Sequence, residues 1–149
     1  MQLVKFTPEH ADELAQLIGR TLRLCNTEDY GSERIESMIA RHTAAALLEL
    51  SRRRCILLAL DGSRIIATAS LERNWVYAVF VDRDRQRNGV GKRLMQELEK
   101  IACESAISRL GVYSSLSAVK FYERVGFAIE ATTDTAEHGR AVEMSKALA

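Results

Sequence analysis

Only one proline and one tryptophan occur in the 149 residues, and the three cysteines, Cys25, Cys55 and Cys103, lie far apart. Their spacing fits neither a metal-ligand set nor a disulfide framework. Each is read as a small buried hydrophobe in a reducing compartment. An excess of charge of one sign is also missing, since 21 Lys and Arg against 20 Asp and Glu leave a net charge of +1. Nucleic acid is therefore not expected as a partner, because that role rests on a concentrated basic field. No segment approaches the ~20 apolar residues of a membrane span, and no charged leader precedes an apolar stretch at the N-terminus. These absences set the expectation of a cytoplasmic protein without membrane contact. The three histidines, His10, His42 and His138, are scattered, so no metal is expected and surface or capping roles are assigned to them.

What is present is ordinary globular material, 47% hydrophobic and 28% charged. Residues 1–149 are read as one domain, without repeats, low-complexity tracts or linkers. Gln2 to Phe6 reads as a strand, and Thr7-Pro8 as the cap and first position of a helix whose apolar face is Leu14, Leu17, Ile18 and Leu22. Ser32 to about Leu50 is helical, with a break near His42-Thr43, where the threonine could cap anew. Ile56 to Leu60 and Arg64 to Leu71 flank Asp61-Gly62, a hairpin signal. Leu110 to Tyr113 reads as a buried strand, and Ala118 to Val125 as a short helix stopped by Gly126. Strands at Phe127 to Thr132 and Ala141 to Ser145 close the order. Hairpins mixed with β-α-β units indicate an α/β fold, a mixed sheet with helices on both faces.

Val76 to Leu94 carries the chemistry. The run Val76-Tyr77-Ala78-Val79-Phe80-Val81 is a buried strand by composition. It passes through a charged turn, Asp82 to Arg87, into Asn88-Gly89-Val90-Gly91, and a helix follows at once. Such a junction exposes backbone N–H groups at the positive end of the helix, which makes an anion site. Gly89 and Gly91 let a ligand approach the backbone, while Arg85, Arg87, Lys92 and Arg93 add positive charge. Neither the dinucleotide fingerprint G-x-G-x-x-G nor the P-loop G-x-x-x-x-G-K-[ST] is matched.

Gln86-Arg87-Asn88-Gly89-Val90-Gly91 does resemble the Q/R-x-x-G-x-G/A element of the GNAT acetyltransferase superfamily. A second block, Ala118-Val119-Lys120-Phe121-Tyr122-Glu123-Arg124-Val125-Gly126-Phe127, is similar to that family's A-x-x-F-Y-E-x-x-G-F signature. With the intervening elements the two blocks run from Gln86 to Phe127, and the element order matches over nearly all of the chain. The resemblance implies a mostly antiparallel sheet in which the strand before the glycine turn splays from its neighbour. The slot so opened would hold acetyl-CoA as acyl donor. Val79, Phe80 and Val81 would pair with its pantetheine arm, and Gln86, Arg87, Asn88, Gly89, Val90, Gly91 and Lys92 would surround its pyrophosphate. Ser115 stands where relatives carry an asparagine that touches the same arm. Arg83 departs from the pattern, in a place where relatives often have proline.

Tyr122 is by this resemblance the general acid that protonates the departing thiolate, and a phenol with pKa near 10 is protonated at neutral pH. The base is less well marked. Some relatives have glutamate where this chain has Trp75, so Glu72 is the candidate substitute, directly or through water, unless the amine arrives neutral. Acceptor specificity falls to the first two helices, the last two strands and the loop Asn26 to Tyr30. There Glu28, Asp29 and Tyr30 are the candidate acceptor contacts, and the acidic pair points to a cationic amine. Arg52-Arg53-Arg54 is read as a solvated helix end. The expected activity is acetyl transfer from acetyl-CoA to a primary amine, on a small molecule or a protein, by direct attack in a ternary complex. The alternative is a non-catalytic acyl-CoA sensor. Homodimers are frequent among relatives, so a homodimer is possible here.

Overall fold

The middle strands carry apolar residues at successive positions because helices cover both faces of the sheet they build. The computed structural model describes residues 1–148. Its elements run β1 (Gln2–Lys5), α1 (Ala11–Cys25), α2 (Ser32–Ala40), α3 (Ala44–Leu50), β2 (Cys55–Asp61), β3 (Arg64–Glu72), β4 (Trp75–Val81), α4 (Val90–Glu104), β5 (Arg109–Ser114), α5 (Val119–Arg124), β6 (Ala128–Thr135) and β7 (Gly139–Ala147). The strands form one sheet in the order β1-β2-β3-β4-β5-β7-β6. Every neighbouring pair is antiparallel except β4–β5. This is the mixed, mostly antiparallel GNAT-like sheet that the resemblance implied.

Local chemistry explains most boundaries. Thr7 and Pro8 open the first helix through a single 3₁₀ turn, and the Thr7 N–H donates to His10 Nδ1 at 3.0 Å, so His10 is a capping residue. The helical stretch after Ser32 does break at His42-Thr43. Thr43 Oγ1 accepts from the Ala46 N–H at 3.2 Å and caps α3. On one face of the sheet Leu14, Leu17, Ile18 and Leu22 of α1 pack with Ile35, Leu47, Leu58 and Ile65. On the other, Leu94, Met95 and Leu98 of α4 pack with Leu110, Phe127 and Met144. Each such side chain contributes about 1.5–3 kcal/mol by burial, and together they hold β2 to β5 rigid between two helical layers.

One strand breaks the regularity. The β3–β4 register shifts between Thr68 and Ser70, and Ala78 opposite the shift has φ 51°. A left-handed alanine costs roughly 1–3 kcal/mol, and the bulge it makes bends β4. The parallel pair β4–β5 consequently holds only at Trp75↔Gly111 and Val76↔Val112. Gly111 is needed at that apex, because a Cβ there would lie 2.8 Å from the Trp75 ring. Past it β5 stays paired with β7, and the two central strands part.

Candidate functional site

Two things follow from the parting of β4 and β5. The edges of Val79, Phe80 and Val81 that face β5 are left without strand partners, and the gap between the strands opens a slot. Where β4 ends, Asp82 is buried and held by Arg20 at 3.1 Å and Arg64 at 2.9 Å. Burial alone would raise its carboxyl, but the Asp84 N–H and the two arginines outweigh burial and hold it below the usual value. The turn is thus anchored to α1 and β3. Gln86 braces it from the other side, donating to the Val81 carbonyl at 3.0 Å, so its amide is spent on the chain itself.

Beyond the brace the backbone is shaped for an anion. Arg87 has φ 66° and Gly89 φ 80°, left-handed conformations that turn successive N–H groups toward one concavity. The first bond of α4 is Arg93 N–H to Gly89 carbonyl, which leaves the N–H groups of Gly89 to Lys92 without helical acceptors. Gly91 closes the back, since a Cβ there would stand 3.0 Å from the Phe121 ring. Arg85, Arg87, Lys92 and Arg124 stand around the same end. Asn88 lies in this turn, and no side-chain bond fixes it among the described residues. A pantetheine arm along β4 and a diphosphate at α4 fit this donor set.

A cavity of about 1300 Å³ runs from the turn along β4 to the far side of the sheet. Tyr122 forms part of its wall. Only 5% exposed, it stands edge-on to Phe121 and Phe127 with ring centroids 5.1 and 5.6 Å away. Burial, with a smaller effect from Tyr30, pushes its phenol well above the ordinary 10.0. Tyr30 and Ser115 line the cavity as well, and lie beside each other. Burial and then Asp29 raise the Tyr30 phenol, while Ser115 and Arg34 pull the other way.

The predicted acidic residues are placed differently. Asp29 accepts from Asn26 at 3.0 Å, from the Ser117 N–H at 3.0 Å and from Ser117 Oγ at 2.7 Å. It is a clamp between the loop after α1 and the turn before α5, and has no lone oxygen to offer an acceptor. Glu28 is exposed and outside the cavity lining. Glu72 also stands outside the lining. It accepts from Arg54 Nε at 3.0 Å, with Arg53 at 3.5 Å and Arg73 at 4.0 Å. The Arg54 hydrogen bond outweighs burial and holds its carboxyl below the usual range, with the other arginines adding to the effect. A carboxylate so satisfied is a poor proton acceptor. The expectation of Glu72 as base fails on that ground.

Other groups occupy the acceptor side. His42, assigned above to a surface or capping role, caps the last turn of α2 through Met38 and also lines the cavity, edge-on to Phe80 at 6.1 Å. Its Nδ1 is 2.7 Å from the Met38 carbonyl, which can only accept, so Nδ1 bears the proton and Nε2 the lone pair. Burial lowers its pKa from 6.5, the Met38 carbonyl opposes this, and Arg54 and Arg41 lower it further. The ring is neutral at pH 7. Arg54 is not a solvated helix end either: its side chain is 14% exposed, and Cζ sits 4.1 Å from the Tyr77 ring centroid. Trp75, Tyr113 and His138 stack in series, at 4.8 and 4.1 Å, as a flat wall. The helix break had marked the neighbourhood of His42, but no local signal said which way it faced.

Among the described residues, no helix is long and apolar enough to cross a membrane, and no group of three or more His, Cys, Asp or Glu is placed to hold a metal ion. No curated protein matches the chain. Solved structures share the fold. A GCN5-related N-acetyltransferase from Rhodopseudomonas palustris superposes with TM-score 0.91 at 23% identity, over 99% of this chain and 95% of the other. PaiA N-acetyltransferase from Thermoplasma acidophilum, in complex with coenzyme A, gives 0.83 at 22% identity over 98% of each chain. An aminoglycoside 6'-N-acetyltransferase from Enterococcus faecium gives 0.71 at 17% identity, over 99% of this chain and 97% of the other. A family model described as an acetyltransferase (GNAT) domain matches residues 26–148, across the splayed strands, the glycine turn and the tyrosine helix. The chain belongs to the GNAT acetyltransferase family.

Proposed function

We propose that the protein is an acetyl-CoA-dependent N-acetyltransferase that acetylates a primary amine on a small molecule by direct attack in a ternary complex. The observation that carries this reading is one cavity joining three features: the unpaired edge of β4, the N–H-rich start of α4, and a lining that holds both a buried phenol, Tyr122, and a neutral imidazole, His42. The relatives whose names state N-acetylation of an amine, and one solved with coenzyme A, support it.

Acetyl-CoA would supply the activated acyl group. The chain's own residues hold it and manage protons. Backbone groups of Val79 to Val81 orient the arm, and the turn from Arg87 to Lys92 takes the diphosphate. The amine nitrogen forms a bond to the acyl carbon as the bond from carbon to sulfur breaks. His42 Nε2 is the acceptor for the amine proton, in place of the glutamate that Trp75 replaces. Tyr122 hydrogen-bonds the sulfur and gives it a proton. Desolvation raises phenols and thiols alike, so a thiolate born in the same buried slot is a stronger base than one in water.

The direct test is calorimetric titration with acetyl-CoA, followed by thiol release with a panel of amines. Saturable binding with amine-dependent release supports the enzyme; binding without release under any amine supports the sensor instead. A second expectation concerns pH. His42→Gln should lower kcat about 10²-fold. In the parent protein kcat/KM should fall as pH drops through a limb lying below 6.5, where His42 takes up its proton. That limb should vanish in the variant, and a limb unchanged by the substitution removes His42 as base.

A further inference from the structure

The acceptor side of the cavity is cationic, the reverse of what Glu28 and Asp29 had indicated. Arg34, Arg41 and Arg54 all line it. Arg54 gives its Nε to Glu72 at 3.0 Å, and among the described residues its two terminal nitrogens hold no hydrogen bond. Arg41 forms no ion pair among the described residues. Arg34 reaches across from α2 to the β6–β7 turn, where it meets only the Ala136 carbonyl at 3.4 Å. It crosses over Gly139, and a Cβ there would lie 2.8 Å from Arg34 Nε.

Of the nearby carboxylates Glu72 answers one of these cations, through Arg54 Nε alone at 3.0 Å, and Glu49 faces Arg52 at 3.4 Å. Glu137, in the β6–β7 turn, forms no ion pair with Arg34, Arg41 or Arg54 among the described residues. Nor do the phosphates of the acyl donor account for them. Arg54 sits on Tyr77, four residues before Val81, or roughly 13 Å of strand from the glycine turn. That turn has its own cations in Arg87 and Lys92, while Arg85 is paired with Asp61 at 2.7 Å. A guanidinium fork matches an oxyanion, and one left unpaired in a cavity calls for it. A polycationic amine would meet like charge on this wall.

We propose that the acceptor is an amine bearing an oxyanion, a carboxylate or a phosphate, which Arg34, Arg41 and Arg54 hold while its nitrogen faces β4. This rests on the N-acetyltransferase reading and adds the acceptor class to it. The oxyanion fixes the far end of the molecule, and the flat Tyr113–His138 wall bounds its body.

Matched pairs test it: phenylalanine against phenethylamine, phosphoethanolamine against ethanolamine, and spermidine as the polycation, each by thiol release, with acetyl-CoA titrated calorimetrically on the same protein. The oxyanion-bearing member of at least one pair should exceed its partner by about tenfold or more in kcat/KM, the worth of one charged hydrogen bond. The pair that responds separates carboxylate from phosphate. Arg41→Gln and Arg34→Gln should each reduce that ratio by about fivefold or more through KM, and Arg41→Lys should restore part of it. Thermal melts check that the variants fold. Preference for spermidine or for the partners that lack an oxyanion overturns the proposal, as does a ratio that both arginine variants leave intact, or acetyl-CoA binding with no oxyanionic amine acetylated. In those outcomes acetyl-CoA still binds, and turnover of other amines leaves the acetyltransferase standing. Failure to bind acetyl-CoA overturns the parent reading and this one with it.

Discussion

Tyr122→Phe is expected to lower kcat by about 10²–10⁴-fold, the span usual for a lost proton donor, with acetyl-CoA affinity kept. The substitution is clean for a structural reason. The phenol ring packs edge-on to Phe121 and Phe127, and phenylalanine preserves both contacts. Among the described residues no protein group hydrogen-bonds the Tyr122 hydroxyl, so its loss strands no buried partner. Stability should therefore stay within about 1 kcal/mol of the parent. Because burial holds the phenol above its ordinary 10.0, it remains a donor across the working pH range, and Tyr122 itself should contribute no limb near neutrality. Single-turnover kinetics beside a calorimetric titration reads both quantities. Unchanged turnover, where chemistry limits the rate, removes Tyr122 from the mechanism.

Gly91→Asp should abolish acetyl-CoA binding at ordinary concentrations, by about 10²-fold or more, through two effects that a control can separate. Any Cβ at this position stands 3.0 and 3.1 Å from Phe121 ring carbons and 3.6 Å from Val81, so Phe121 must yield. A carboxylate there also brings negative charge to the helix start that would face the diphosphate. The loss of two charge-assisted hydrogen bonds at ~1.5–3 kcal/mol each sets the magnitude. The folded state itself should survive, since aspartate in the first turn favours a helix. Gly91→Ala tests the steric part alone and should cost far less in affinity. If alanine proves as damaging as aspartate, the turn acts through packing against Phe121 rather than through charge.

How far the sequence reaches is clear from individual residues. The glycine turn, Thr43, the Asp61-Gly62 hairpin and Gly126 were legible because each states a backbone requirement within a few positions of itself. The apolar face of α1 was legible because burial on a helix repeats every three to four residues. Tyr122 became readable through its place in a motif. Ala78 was not: nothing in an alanine announces a left-handed backbone, yet the bulge there decides that β4 and β5 part. Glu72 and Asp29 read as free carboxylates in sequence and are consumed by Arg54 and by Ser117 in space. His42 read as a surface or capping group; it does bond the end of α2 through Met38, but it also lies against Phe80 in the cavity, with its lone pair left over on the other nitrogen.

By itself, then, the sequence determined the order of elements and the glycine turn at the start of α4, both written in local spacing and backbone chemistry, and two motif blocks carried the resemblance to the family. The tertiary structure alone decided which charges remain unpaired. The sheet brings the loop after α2, the end of α3 and strand β4 together from distant parts of the chain. Ion pairing is a contest among whatever arrives within about 4 Å. No spacing along the chain encodes its winner.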